Sequence, residues 1–302
     1  MLHQHSHFSH MTINRIGLIG LGIMGKPMAN NLLKANHSLG LYARNPESLQ
    51  PFTANNIEIY DSPAELAQHC DVTITIISDS PDVEKIITGE NGIIHGAKPK
   101  HLVIDMSTIS PEVTRSLAQN LATNGVDMLD APVSGGEQGA IDGTLSIMVG
   151  GNADAFNYAY PIFQILGKNI VHIGDHGAGQ VSKACNQILA AQTIVAVAEA
   201  FLLARSSGVD PSKVRDALLG GFANSKVLEL HGKRILDNNY KPGFKAELHF
   251  KDIGIALNSA KENNISIPGT ERVEKYLRKI IEYGKGELDS AAIAKIVLDE
   301  EF

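Results

Sequence analysis

The sequence predicts an α/β protein in which a doubly wound, mainly parallel sheet is followed by an all-helical second part. Three observations predict it. A glycine-rich turn sits between the apolar run Ile16–Ile19 and a helical run that opens at Pro27. Short β-rich segments then alternate with helical patterns as far as Gly174. Beyond Gly174-Asp175-His176-Gly177-Ala178-Gly179 the strand signal stops, and helical periodicity runs to the end of the chain.

The turn reads Gly20-Leu21-Gly22-Ile23-Met24-Gly25. In the order strand, turn, helix, this spacing suits a dinucleotide. The first glycine makes the tight turn, the second lets backbone approach a pyrophosphate, and the third lets helix and strand pack closely, with the helix N-terminus facing the anion. Further β-rich runs follow at Leu39–Ala43, Val72–Ser78, Leu102–Asp105, Asp127–Ala131, Leu145–Val149 and Ile170–Ile173, the later ones compatible with either strand direction. Ser62-Pro63-Ala64-Glu65 and Ser110-Pro111-Glu112 carry the N-cap, proline and early acid that start helices. A long helix is expected from about Gln180 to Ser206, apolar around most of its circumference and so packed by its own domain, the cofactor domain or a partner subunit. The domains expected are a disordered histidine-rich tail over 1–12, a dinucleotide-binding domain over 13–175 and an all-helical domain over 176–302.

With 302 residues and 43% hydrophobic content the chain can bury a large core. Its net charge of −7, with no basic block, argues against a nucleic-acid partner. Cys70 and Cys185 lack metal-ligand or CxxC spacing; both read as buried thiols of a reducing compartment, which points to the cytoplasm. His3, His5, His7 and His10 read as part of a mobile polar tail, the opening residues lack the apolar core of a signal peptide, and no metal site is expected. Gln192, Thr193 and Glu199 interrupt the apolar stretch Ile188–Ala204, which therefore reads as a buried helix with no membrane partner.

The end of the second strand reads Leu41-Tyr42-Ala43-Arg44-Asn45-Pro46, with no carboxylate to accept from a ribose 2′-hydroxyl. Arg44 offers a guanidinium fork suited to a 2′-phosphate and Asn45 a further donor, so NADP is favoured, with NAD also compatible. Thr108, in Asp105-Met106-Ser107-Thr108, is either a nicotinamide contact or a turn-stabilising hydroxyl. Asp130-Ala131-Pro132-Val133-Ser134-Gly135-Gly136 leaves the next strand with a compact set of donors, Ser134 and the backbone of Gly135 and Gly136, fit for a small carboxylate; a plain turn is the other reading. Lys183, Asn186 and Gln187 share one helix face at i, i+3 and i+4. A lysine in a largely apolar helix opening is either an interdomain polar contact or a proton donor to a carbonyl oxygen. Lys251-Asp252 reads from spacing alone as a salt-bridged helix start, and His249 has no triad partner in view.

Taken in order, the glycine turn, Asp105–Thr108, Asp130–Gly136, Gly179-Gln180-Val181-Ser182-Lys183-Ala184-Cys185-Asn186 and Lys251-Asp252 resemble the β-hydroxyacid dehydrogenase family over nearly the whole chain. The resemblance implies a Rossmann-like domain and an all-helical domain joined by a long interdomain helix, with an active site in the cleft beside that helix. It implies catalysis by Lys183 assisted by Asn186, and substrate binding by Ser134, Gly135 and Gly136; Gln187, where many relatives carry a second asparagine, and Asp252 are expected to join the substrate site. Cofactor contacts would come from the glycine turn, Ser78, Val83, Thr108 and Lys251, beside Arg44 and Asn45 as read above, where Ala43 stands in the place of an acid that the reductase branch often carries before the arginine. Asp142–Gly151, Asn186-Gln187, Gly220–Ala223 and Lys241–Phe244 are similar to the branch that reduces tartronate semialdehyde to D-glycerate. Other short semialdehyde or hydroxyacid substrates, 3-hydroxyisobutyrate among them, and a non-catalytic cofactor-binding regulator are the alternatives. A homodimer or homotetramer is implied as well.

Overall fold

The computed structural model describes residues 12–53 and 56–302, so the expected histidine-rich tail lies, but for Thr12, outside the described residues. The chain divides into two compact units, with the break between Lys183 and Ala184.

In the first unit β1 (Arg15–Ile19) leads through the glycine turn into α1 (Gly25–Lys34) and β2 (Ser38–Tyr42). There follow β3 (Ile57–Ile59), α2 (Pro63–His69), β4 (Val72–Thr75), α3 (Ser80–Thr88), β5 (Leu102–Asp105), α4 (Pro111–Ala122) and β6 (Asp127–Asp130). Then come β7 (Val133–Ser134), α5 (Gly136–Asp142), β8 (Leu145–Gly151), α6 (Ala153–Leu166) and β9 (Gly167–Gly174). These strands form one sheet in the order β3-β2-β1-β4-β5-β6-β8-β7, with β9 also paired to β8. Pairing is parallel from β3 across to β6; β8 runs antiparallel to β6 and β7, and parallel to β9.

Alternation along the strands sends side chains to two layers. Ile16 and Leu18 meet Met28 and Leu32 of α1 and Ile162 and Phe163 of α6, whereas Ile19 joins Leu66, Val83, Ile87 and Leu117 from α2, α3 and α4. Helices on both faces are what a parallel sheet requires. Both capping serines act where the sequence places them. Ser62 Oγ accepts from Glu65 N at 3.1 Å while Glu65 Oε2 accepts from Asp61 N at 2.9 Å, and Ser110 Oγ accepts from Glu112 N at 3.2 Å.

Helix α7 (Ala178–Ser206) starts in the first unit and continues into the second. After it come α8 (Pro211–Leu219), α9 (Lys226–Leu236), α10 (Ala246–Glu262), α11 (Pro268–Glu282) and α12 (Ile293–Val297). Ala191, Ile194, Ala198 and Phe201 of α7 build the core of the second unit with Ile253, Val273, Leu277 and Ile280. By length and composition α7 is able to cross a bilayer. Its side chains instead pair within the unit: Gln187 Nε2 donates to Asp252 Oδ2 at 2.7 Å and Gln192 Nε2 to Thr270 Oγ1 at 3.1 Å.

Helix α7 keeps part of its surface uncovered within the chain: Leu189 and Leu203 are each 69% exposed, because the helices of its unit cover only part of its circumference. One expectation is corrected here. Cys70 is buried as expected, but Cys185 is exposed on α7, where the apolar character of the sequence around it hides which face it occupies.

Asp289 knots the second unit together. Its Oδ2 accepts from Gly243 N at 2.9 Å and Phe244 N at 3.1 Å, and its Oδ1 from Ala291 N at 3.0 Å. Burial alone would raise this carboxyl, but the bonds from His231 and the backbone outweigh it and hold the group at about 2. Because that lies below the ordinary 3.8, the stabilisation is complete above pH 3.8 and is lost as pH falls towards 2. It is worth about 2 kcal/mol at neutral pH. Asp289→Ala should therefore lower the urea unfolding free energy at pH 7 by about 2 kcal/mol or more, with the gap to wild type narrowing in acid; an unchanged midpoint would refute the knot.

Candidate active site

Since β1, β4, β5 and β6 are adjacent and parallel, the loops leaving their carboxyl ends gather along one edge of the sheet. Gly20 has φ +103°, and a Cβ there would stand 2.1 Å from the Ile76 carbonyl oxygen. A Cβ on Gly25 would stand 1.8 Å from the Gly20 carbonyl oxygen. The turn is thus folded hard against itself and against the exit of β4. Gly22 is the opposite case: nothing lies within 4 Å of a Cβ at that position. Leu21 is buried, Met24 is half-buried and Ile23 is 60% exposed. Open backbone at Gly22, leading into a helix with no acidic residue in its first turn, fits the pyrophosphate of a dinucleotide.

At the end of β2, Arg44 donates to Asp82 through both Nη1 (2.8 Å) and Nη2 (3.3 Å), while Asn45 Oδ1 accepts from Glu47 N at 3.1 Å and caps a short 3-10 turn. Sequence reasoning missed Asp82, since a pairing across 38 residues leaves no local signal. The Arg44 side chain is 60% exposed, and an ion pair that exposed contributes about 1 kcal/mol or less.

Ile77 N donates to Ser107 Oγ at 3.0 Å and Ser110 N to Ser80 Oγ at 3.2 Å, lacing together the segments that carry Ser78 and Thr108. Ser78 is exposed and Thr108 half-buried at this edge, whereas Val83 is fully buried in the core on α3. Asp105, at the end of β5, accepts through Oδ1 from Thr75 Oγ1 at 2.8 Å and Ser107 N at 3.2 Å; burial pushes its carboxyl up to about 6.

The start of α7 is fixed by the end of β6. Asp130 Oδ1 accepts from Gly177 N at 2.8 Å and Oδ2 from Gln180 N at 3.0 Å. The Gln180 side chain then donates to the Ser107 carbonyl at 2.8 Å and accepts from Ile109 N at 3.1 Å. Sequence reasoning assigned neither residue a role; the available signals were a carboxylate ending a strand and an amide opening an apolar helix. Lys183, one turn further along α7, is 8% exposed. Ser134 is half-buried in β7, and the exposed Gly135 and Gly136 follow with φ +138° and +63°.

In the second unit, Asn186 Nδ2 donates to Gln187 Oε1 at 2.8 Å and Gln187 continues to Asp252, whose Oδ1 lies 3.0 Å from Lys251 Nζ. Lys251 and Asp252 lie in the second turn of α10, not at a helix start as spacing implies. His249 is buried, with Nε2 3.5 Å from the Gln187 carbonyl oxygen and its ring against Phe244. Among the described residues no His, Cys, Asp and Glu cluster could hold a metal ion.

Comparison with known proteins places these features in context. The NAD binding domain of 6-phosphogluconate dehydrogenase matches residues 15–174, and the NAD-binding domain of NADP-dependent 3-hydroxyisobutyrate dehydrogenase matches residues 177–297. The chain is 41% identical to 2-hydroxy-3-oxopropionate reductase of Escherichia coli (strain K12) over 93% of its own length and 96% of that protein's. It is 37% identical to 3-hydroxyisobutyrate dehydrogenase of Pseudomonas aeruginosa over 84% of its length and 87% of that protein's. The structure of Mycobacterium tuberculosis 3-hydroxyisobutyrate dehydrogenase with L-serine superposes with TM-score 0.87 at 30% identity, covering 95% of this chain and 99% of that one.

The contrast between the glycines separates binding from folding. Gly22→Val should keep the wild-type melting temperature yet weaken dinucleotide binding, read by nucleotide fluorescence, about tenfold or more. Gly25→Val should cost about 2 kcal/mol or more of stability through the clash with Gly20. Tight nucleotide binding by the Gly22 variant would refute the cradle.

Proposed function

The chain belongs to the 3-hydroxyisobutyrate dehydrogenase-like family of β-hydroxyacid dehydrogenases, NAD(P)-dependent oxidoreductases acting on CH–OH groups, and from that premise we propose that it reduces tartronate semialdehyde to D-glycerate. The observation that carries the reading is the anchoring of α7. Asp130 and Gln180 tie the first turn of the helix that bears Lys183 to the ends of β5 and β6, the strands from which the Thr108 and Ser134 segments leave. The 41% identity to 2-hydroxy-3-oxopropionate reductase favours this substrate over others of the family.

In this reading Ser134 Oγ and the backbone N–H groups of Gly135 and Gly136 bind the substrate carboxylate and present the aldehyde carbon at the sheet edge. A bound reduced nicotinamide supplies the hydride that this carbon accepts. Lys183 Nζ delivers a proton to the oxygen as its charge develops, so that the aldehyde becomes a primary alcohol, and the lysine takes a proton back in the reverse direction. Asn186 assists the lysine from the next turn of α7. The exposed fork of Arg44 favours the 2′-phosphate of NADPH, with NADH a weaker alternative. The exposed apolar residues Leu189 and Leu203 of α7 support a homodimer or homotetramer.

Oxidation of NADPH followed at 340 nm should be faster with tartronate semialdehyde than with methylmalonate semialdehyde; the reverse preference would move the chain to the 3-hydroxyisobutyrate branch. Lys183→Ala should lower kcat by about 10²-fold or more while NADPH still binds, and near-normal turnover would remove the proton-transfer role. Arg44→Ala should raise the KM for NADPH and leave that for NADH nearly unchanged.

A further inference from the structure

We propose that Gln187 and Asp252 are positioning residues that dictate which end of the Asn186 amide is offered to the reacting groups. The inference rests on the reading of Lys183 and Asn186 as the proton-transfer pair and adds the means by which Asn186 is oriented.

The argument starts from donor and acceptor inventory. An aspartate carboxylate only accepts, whereas a primary amide donates from nitrogen and accepts at oxygen. Asp252 is 3% exposed and has Lys251 Nζ 3.0 Å from its Oδ1 as counter-ion. Its Oδ2 accepts from Gln187 Nε2 at 2.7 Å. Gln187, itself 4% exposed, must therefore turn its nitrogen towards Asp252 and its Oε1 away. That Oε1 accepts from Asn186 Nδ2 at 2.8 Å. Asn186 is thereby obliged to commit its NH₂ group to Gln187, which reserves Oδ1 as the end available to another donor. An amide normally has two nearly isosteric orientations. Here a buried carboxylate two residues away in the chain of bonds removes one of them, because reversing either amide would set oxygen against oxygen.

The consequence is chemical. An acceptor at Asn186 Oδ1, one turn beyond Lys183 on α7, suits an ammonium or a substrate hydroxyl, and an NH₂ group there would suit neither an ammonium nor its delivery of a proton. Gln187 is long enough to bridge from α7 to Asp252 on α10, and its amide carries the polarity of the carboxylate across that span. The pairing of α7 with α10 thus does more than close the core of the helical unit: it sets the direction of a hydrogen bond at the functional face of α7.

The test is a double-mutant cycle read in steady-state kinetics with tartronate semialdehyde and NADPH. Gln187→Met removes the bridge at nearly constant volume, and Asp252→Asn keeps the shape while permitting the amides to reverse. Each should lower kcat about tenfold with KM and NADPH affinity within about twofold of wild type. Asn186→Asp presents oxygen in either orientation, one oxygen standing against Gln187 Oε1, so adding Gln187→Met to that variant removes a repulsion and no guidance, and should cost less than about twofold in kcat. Equal losses in the wild-type and Asn186→Asp backgrounds would mean that Gln187 only packs, and unchanged kcat in the single variants would likewise overturn the proposal. Circular dichroism melts identify any variant that has lost its fold, in which case the other single variant decides. Full turnover by Lys183→Ala would bring down the proton-transfer reading and this inference together, whereas loss there with intact Gln187→Met and Asp252→Asn variants would bring down this inference alone.

Discussion

The carboxylate of Asp130 is the constraint on which the arrangement of the sheet edge depends. It ends β6, and its two oxygens accept from the N–H groups of Gly177 and Gln180 at the start of α7. A helix N-terminus carries unsatisfied donors and a partial positive charge, so a carboxylate is the natural group to receive it. Charge-assisted bonds of this kind contribute about 1.5–3 kcal/mol each, set against the several kcal/mol that burying an ion costs. Burial outweighs the donors at this site and raises the Asp130 carboxyl above its ordinary value. The protein tolerates that imbalance at the point where strand and helix must be held in register.

From this anchor the rest of the edge is assembled by short polar links. Gln180 ties Ser107 and Ile109 to α7, Ser107 receives Ile77, and Asp105 joins the ends of β4 and β5 through Thr75. The glycine turn is packed against Ile76 at the far side of the same row. Backbone groups supply much of this lacing, so the positions of the loops follow from the register of the sheet more than from the identity of exposed side chains. Such a scaffold leaves surface residues free to vary with substrate while the edge itself stays rigid.

Much of this was legible in the sequence because it is local. Strand, glycine turn and helix announce themselves within a short window, and Ser62 and Ser110 cap the helices they precede. What escaped was either too short or too distant. Strands β3 and β7 are too brief to establish an alternation. Arg44 with Asp82 and Gln187 with Asp252 join residues far apart in the chain. Helix α7 is so uniformly apolar that its sequence does not say which side its own unit covers, so the exposure of Cys185 and Leu189 within the chain was not readable from it. The residue types of the candidate site could therefore be named from the sequence, while the bonds that join them could not.

Lys183 lies on α7 within the first unit, one turn after the bonds that Asp130 makes to the start of the helix, and this gives the lysine a strict phase. Each residue of an α-helix advances the azimuth by about 100°. A single insertion between Gln180 and Lys183 would leave every bond to Asp130 intact and still swing the lysine roughly a quarter of a circle or more away. An insertion in the surface connection after α7, around Gly208, would leave that angle untouched. The surface connection can thus lengthen without turning the lysine, whereas the interval from anchor to lysine behaves as the teeth of a gear.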